Sequence, residues 1–204
     1  MGSDGSAIIA GMTDPALTTL TDLVPPPASP YLGENGWEAV FKEMGTRLPS
    51  GYMEFIERYG AGAWAGWLRF PPPGRSGRHG MPETSARARD GYRLLREDDD
   101  EDEFPLPVWP EPGGLLPFAD TAHGDHLGWL AEGDDPDRWP LVFWPRHNDQ
   151  GPPLTCTLAE AVYALLIGDH EKLGFPPPEA DPDAPQERSP DFEPFTAARY
   201  DHHE

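Results

Sequence analysis

Histidine and carboxylate fall together at His123, Asp125 and His126, residue types that ligate zinc or iron and that exchange protons in acid–base catalysis. The segment does not offer two ligands on one helix face, and no third histidine stands near in a matching element. Gly124-Asp125 reads more simply as a polar turn, glycine tolerating positive φ and aspartate hydrogen-bonding its own main chain. An enzyme would pair Asp125 with His123 or His126 in a concave pocket with a perturbed pKa; a binding module leaves these side chains exposed or tied into the turn. Cys156 lies just before a helix cap and reads as a structural, partly buried thiol rather than a nucleophile. His202-His203 lacks a third ligand. No catalytic, cofactor-binding or metal residue is assigned, and no cofactor is expected.

The stronger signal is charge. The 204 residues hold 36 acidic and 15 basic side chains, a formal net charge of −21, which opposes nucleic acid and anionic membrane and favours a cationic partner. Glu97 to Glu103, EDDDEDE, is acidic throughout; it reads as a solvated, disordered segment or loop tip. It lacks the alternation of a calcium loop. A floppy run also fails as a mimic of DNA, which needs rigidly spaced carboxylates. Clustered carboxylates raise association rates with a basic protein, and a nuclease, which grips phosphate, presents such a surface. The expected contact residues are Asp98, Asp99, Asp100, Glu101, Asp102, Glu103, Asp120, Asp125, Asp134 and Asp135. Trp139 and Trp144 join them as the tryptophans best placed for an exposed hot spot.

A lone cysteine excludes an internal disulfide and points to a reducing, cytoplasmic setting. No apolar run approaches the ~20 residues that span a bilayer. Met12 is a candidate start, so residues 1–11 are left out of the fold reading.

These residues need elements to hold them. Leu116–Ala119, Leu127–Leu130 and Leu141–Trp144 are strand-like and separated by His123-Gly124-Asp125 and Gly133-Asp134-Asp135-Pro136, which predicts an antiparallel meander. A meander buries one face and needs helices over it. Trp37, Val40, Phe41 and Met44 recur at helical spacing between an N-x-x-E box at Asn35/Glu38 and Gly45. Leu48, Tyr52, Phe55, Ile56 and Tyr59 form a second stripe, with Pro49 in the first turn and Gly60 as the stop. Leu158, Val162, Leu165 and Leu166 form a third between a Thr157/Glu160 capping box and Gly168. A weaker spacing at Leu17, Leu20 and Leu23 allows a short helix before Pro25-Pro26-Pro27.

Trp64–Phe70, WAGWLRF, reads as one strand ended by prolines. Residues 74–93, rich in Gly, Arg and Ser, read as a long mobile loop with a possible short helix over Thr84–Asp90. Phe104–Trp109, with prolines at 105 and 107, is limited to an edge strand or an extended segment. The prediction is an α+β protein with a single antiparallel-rich sheet covered by helices. Its expected parts are an N-terminal extension (1–33), partly flexible or introduced in cloning, one domain (34–174), and a proline-rich acidic tail (175–204) anchored locally by Phe192 and Phe195.

LPSGYMEFIERYGAG (48–62) resembles the opening motif of the SUKH superfamily: Leu-Pro starts a helix that ends in an aromatic and glycine before the sheet. LLPFADTAHGDHLGWL (115–130) is similar to its second motif, a strand ending Phe-Ala, a Gly-Asp loop and a returning strand with an aromatic. A later strand and the helix at 157–168 occur in the expected order. The resemblance covers roughly residues 35–170 and implies a non-catalytic α+β binding module. Many bacterial members are immunity proteins that neutralise a cognate toxin, and a yeast member regulates cell-wall synthesis through protein contacts. The expected partner is a cognate protein toxin with a basic surface, such as a nuclease. A general regulatory interaction module and a small acid–base or metal-dependent enzyme are the alternatives.

Overall fold

The computed structural model describes residues 14–98, 104–145, 152–169 and 191–200. Its centre is the expected meander: β3 (Gly114–Thr121), β4 (His126–Ala131) and β5 (Leu141–Trp144), paired antiparallel through Leu116↔Trp129 and Leu127↔Phe143. The register shifts between Pro117 and Ala119, where proline cannot donate to the ladder.

WAGWLRF is not one strand but a hairpin, β1 (Gly62–Trp64) and β2 (Leu68–Phe70). The Trp67 amide donates to the Trp64 carbonyl at 2.9 Å, and Ala65 and Gly66 both take positive φ, 50° and 62°. A type I′ turn requires that pair of conformations. β2 pairs with β3, and β6 (Phe192–Pro194) covers the outer edge of β1. The six-stranded order is β5-β4-β3-β2-β1-β6. A side chain at Gly62 would strike the Phe192 ring, so glycine there admits β6.

Helices α1 (Pro15–Leu23), α2 (Trp37–Met44), α3 (Ser50–Tyr59) and α5 (Leu158–Ile167) supply the core on one sheet face. Leu17, Leu20, Val40, Met44, Tyr52, Phe55, Ile56 and Val162 pack there with Leu116, Phe118, Leu127, Trp129 and Phe143. α1 packs against α5, so residues ahead of the expected domain contribute to the same core.

The opposite face is covered too, which corrects the one-sided expectation. Residues 81–98, expected as loop with a short helix over Thr84–Asp90, form one 18-residue helix, α4 (Met81–Asp98). Met81, Ser85, Ala88 and Tyr92 are buried along it at intervals of four, three and four, one helical face. Tyr92 joins Phe104, Val108, Leu115, Leu130, Val142 and Trp144 in a second core. Neighbours such as Trp129 and Leu130, or Val142 and Phe143, thus enter opposite cores, as the period of a strand dictates. The Phe104–Trp109 stretch is extended, touching the sheet through the bridge Val108↔Leu115. Arg89 and Arg93 both donate to the Trp109 carbonyl, at 3.1 and 2.8 Å.

The caps divide. Thr157 and Glu160 form both halves of the expected box, at 3.2 and 2.8 Å. The Asn35/Glu38 box does not form: Gly36 is the N-cap, and the Asn35 amide donates to Ser76 Oγ at 3.0 Å. Pro49 is the N-cap of α3 and offers no side-chain acceptor, so the Asp137 carboxylate takes the Ser50 N–H instead.

Candidate protein-binding surface

The β3–β4 turn holds the residues that invited an enzymatic reading. Thr121 is fully buried; its hydroxyl donates to Asp125 Oδ2 at 2.7 Å and accepts from the His123 and Asp125 amides at 3.2 and 3.1 Å. Asp125 is therefore tied into its own turn. His123 Nδ1 accepts from the Trp67 indole at 3.3 Å, and Trp67 belongs to the α3 side of the sheet. His126 lies on the other face, stacked on Trp144 with ring centroids 5.1 Å apart. Burial lowers the His126 pKa to about 4 against the pull of Asp125 and an Ala119 backbone hydrogen bond. The three side chains do not converge. Among the described residues no group of three or more His, Cys, Asp or Glu is placed to hold a metal ion.

Asp120 points to the α4 side and pairs with Arg69 across β2–β3. Burial raises its carboxyl pKa although Arg69 pulls it down. Asp134 and Asp135 are exposed in the β4–β5 connection. Asp135 caps the short 3-10 helix Pro136–Arg138, accepting from the Asp137 amide at 3.2 Å. The six residues of β4 set Asp120 and Asp125 about 20 Å from Asp134 and Asp135, at opposite ends of the sheet. Asp98 ends α4; Asp99, Asp100, Glu101, Asp102 and Glu103 lie outside the described residues.

Trp139 and Trp144, expected at the surface, are only 7 % and 4 % exposed. Trp139 packs on Trp109 and donates to the Gly133 carbonyl at 3.3 Å; Trp144 packs edge-on to Tyr92. Strand alternation between two cores consumes Trp144, and the returning loop folds Trp139 inward.

Pro136 and Asp137 border a cavity of about 250 Å³. The first turns of α1, α3 and α5 reach it through Asp14, Ser50 and Thr157, and Trp129, Trp139 and Leu141 supply apolar wall. Tyr52, 2 % exposed, also lines it, and its hydroxyl has no hydrogen-bond partner among the described residues. Cys156 lies in the wall, its thiol pushed up to about 11 by burial and by Glu160, so almost no thiolate exists at neutral pH. Sequence reasoning did not place Asp14, Tyr52 and Asp137 in a site. Asp14-Pro15 is a readable helix start; the Asp137–Ser50 contact, between residues far apart in the chain, leaves no local mark.

A family model described as SUKH_6, SMI1-KNR4 cell-wall, matches residues 34–157, more than half of the chain. No curated protein and no solved structure matches.

Proposed function

Because this chain belongs to the SUKH_6 family of the SUKH superfamily, whose roles are toxin immunity or SMI1-KNR4-like, we propose that it is a bacterial immunity protein that occludes a cognate toxin stoichiometrically. The observation that carries this reading is the β3–β4 turn: its one carboxylate is bound to Thr121 and its two histidines pack on opposite sides of the sheet. That arrangement favours a binding role over turnover. The net charge of −21 favours a toxin with a basic surface, a nuclease being the leading class. Among the described residues no helix is long and apolar enough to cross a membrane. Asp134, Asp135 and the EDDDEDE run are the proposed electrostatic contacts, and the cytoplasm the proposed site of action.

The test is titration of the catalytic domain of a toxin encoded next to this gene. Toxin activity should fall linearly and reach zero at one equivalent, and the complex should weaken as salt screens exposed charges beyond ~10 Å. Protection by far less than one equivalent would indicate catalysis, and an unchanged toxin would reject the pairing.

A further inference from the structure

Three helix starts converge on the cavity beside Asp137, which by itself would suggest an anion, each start carrying roughly half a positive charge. All three are already capped by carboxylates. Asp14 Oδ1 accepts from the Ala16 amide, Asp137 Oδ1 from the Ser50 amide, and Glu160 Oε2 from the Thr157 amide. Three full negative charges against about one and a half positive ones leave the region net negative. Asp14 and Asp137 line the cavity itself. Trp129, Trp139 and Tyr52 line it as well, and the buried Tyr52 hydroxyl has no hydrogen-bond partner among the described residues. A buried hydroxyl left unpaired carries an uncompensated desolvation cost, so a ligand that satisfies it binds at an advantage. The volume, about 250 Å³, falls below the roughly 300–1,000 Å³ usual for small-molecule sites and suits one long side chain.

We propose that this cavity receives an arginine side chain from the basic protein partner, its guanidinium held between the Asp14 and Asp137 carboxylates against the Trp129 and Trp139 indoles, with Tyr52 accepting a hydrogen bond. Arginine fits better than lysine because its planar fork can bond two carboxylates while stacking on an indole. Arginine is also the charged residue enriched at binding hot spots. The proposal deepens the immunity reading and rests on it for the partner, but the cavity can be tested alone.

The probe is N-acetyl-arginine amide, titrated into the full chain by NMR while the tryptophan indole signals are followed. Saturable shifts should appear with the arginine probe, and the neutral citrulline analogue should bind at least roughly tenfold more weakly, having lost its charge-assisted hydrogen bonds. The double variant Asp14→Asn, Asp137→Asn keeps an amide oxygen for each helix cap and so its melting temperature, yet should lose probe binding roughly tenfold or more. Tyr52→Phe removes an unsatisfied hydroxyl, so it should fold at least as stably while binding the probe several-fold more weakly. No saturable shift, an equal response to the citrulline analogue, or undiminished binding by the folded double variant overturns the arginine site. A probe that binds while no toxin is neutralised keeps the site and rejects the immunity reading. Neutralisation unaffected by the double variant, with no probe binding, does the reverse.

Discussion

His126 shows how much a single residue's meaning depends on what covers it. Its position beside Asp125 suggested an acid–base pair, but the imidazole is stacked on Trp144 under the α4 side of the sheet, and burial lowers its pKa from 6.5 to about 4. The sign of the consequence is definite. Between pH 6.5 and 4 the unfolded chain takes up a proton that the folded chain resists, so this residue's contribution to stability falls as pH falls through that window and is level outside it. The full loss is on the order of 3 kcal/mol at 1.36 kcal/mol per pKa unit. His126→Gln should flatten the corresponding part of the stability curve measured by urea unfolding at several pH values. An unchanged slope between pH 6.5 and 4 would mean the imidazole titrates normally. Residue type disclosed the candidate pair; which way each ring points depended on Trp67 and Trp144, neither adjacent to the turn in sequence.

At the scale of elements, legibility followed locality. The Thr157/Glu160 box has donor and acceptor within one turn, and it forms as its spacing requires. Asn35/Glu38 has the same spacing, yet Asn35 is drawn to Ser76, 41 positions along the chain. Thr157→Ala should therefore cost about 1 kcal/mol, whereas Asn35→Ala removes no helix cap and should cost less. Comparison of the two variants by thermal unfolding checks this, and equal losses would contradict the assignment.

The helix expected over Thr84–Asp90 covers only part of α4 because the stripe is unusual: Met81, Ser85, Ala88 and Tyr92 are spaced as a helix, but two of the four are small, and four arginines crowd the same segment. Composition said loop while spacing said helix, and packing on β3 decided for spacing. Tyr92→Ala, which empties the centre of the second core beside Phe104 and Trp144, should destabilise by about 3–5 kcal/mol in the same assay.

For the whole molecule, the decisive feature is that one sheet separates two cores. The larger lies under α1, α2, α3 and α5, the smaller under α4 and the extended segment after it. The chain's end joins this plan: Phe192 lies against Tyr59 and Trp64, centroids 5.4 and 4.7 Å away, and Phe195 and Tyr200 are buried with Ala61 and Ala63. Arg75, 8 % exposed, stacks on the Tyr200 ring at 5.0 Å. Deleting residues 170–204 should therefore lower Tm by several degrees and bare the β1 edge for pairing between molecules. Calorimetry and light scattering check both, and an unaltered Tm would show the terminal strand to be dispensable.

Sequence alone determined the α+β class, the meander, three helix stripes, the acid excess and the resemblance to the SUKH superfamily, because each is written in neighbouring residues or in totals. Tertiary structure decided what faces what: the second core over the sheet, the inward turn of Trp139 and Trp144, the parting of His123 from His126, and the meeting of Asp14, Tyr52 and Asp137 around one cavity. Those relations join positions tens of residues apart. The free energy that fixes them is burial, which depends on the surface removed from water by the completed fold and not on any local pattern.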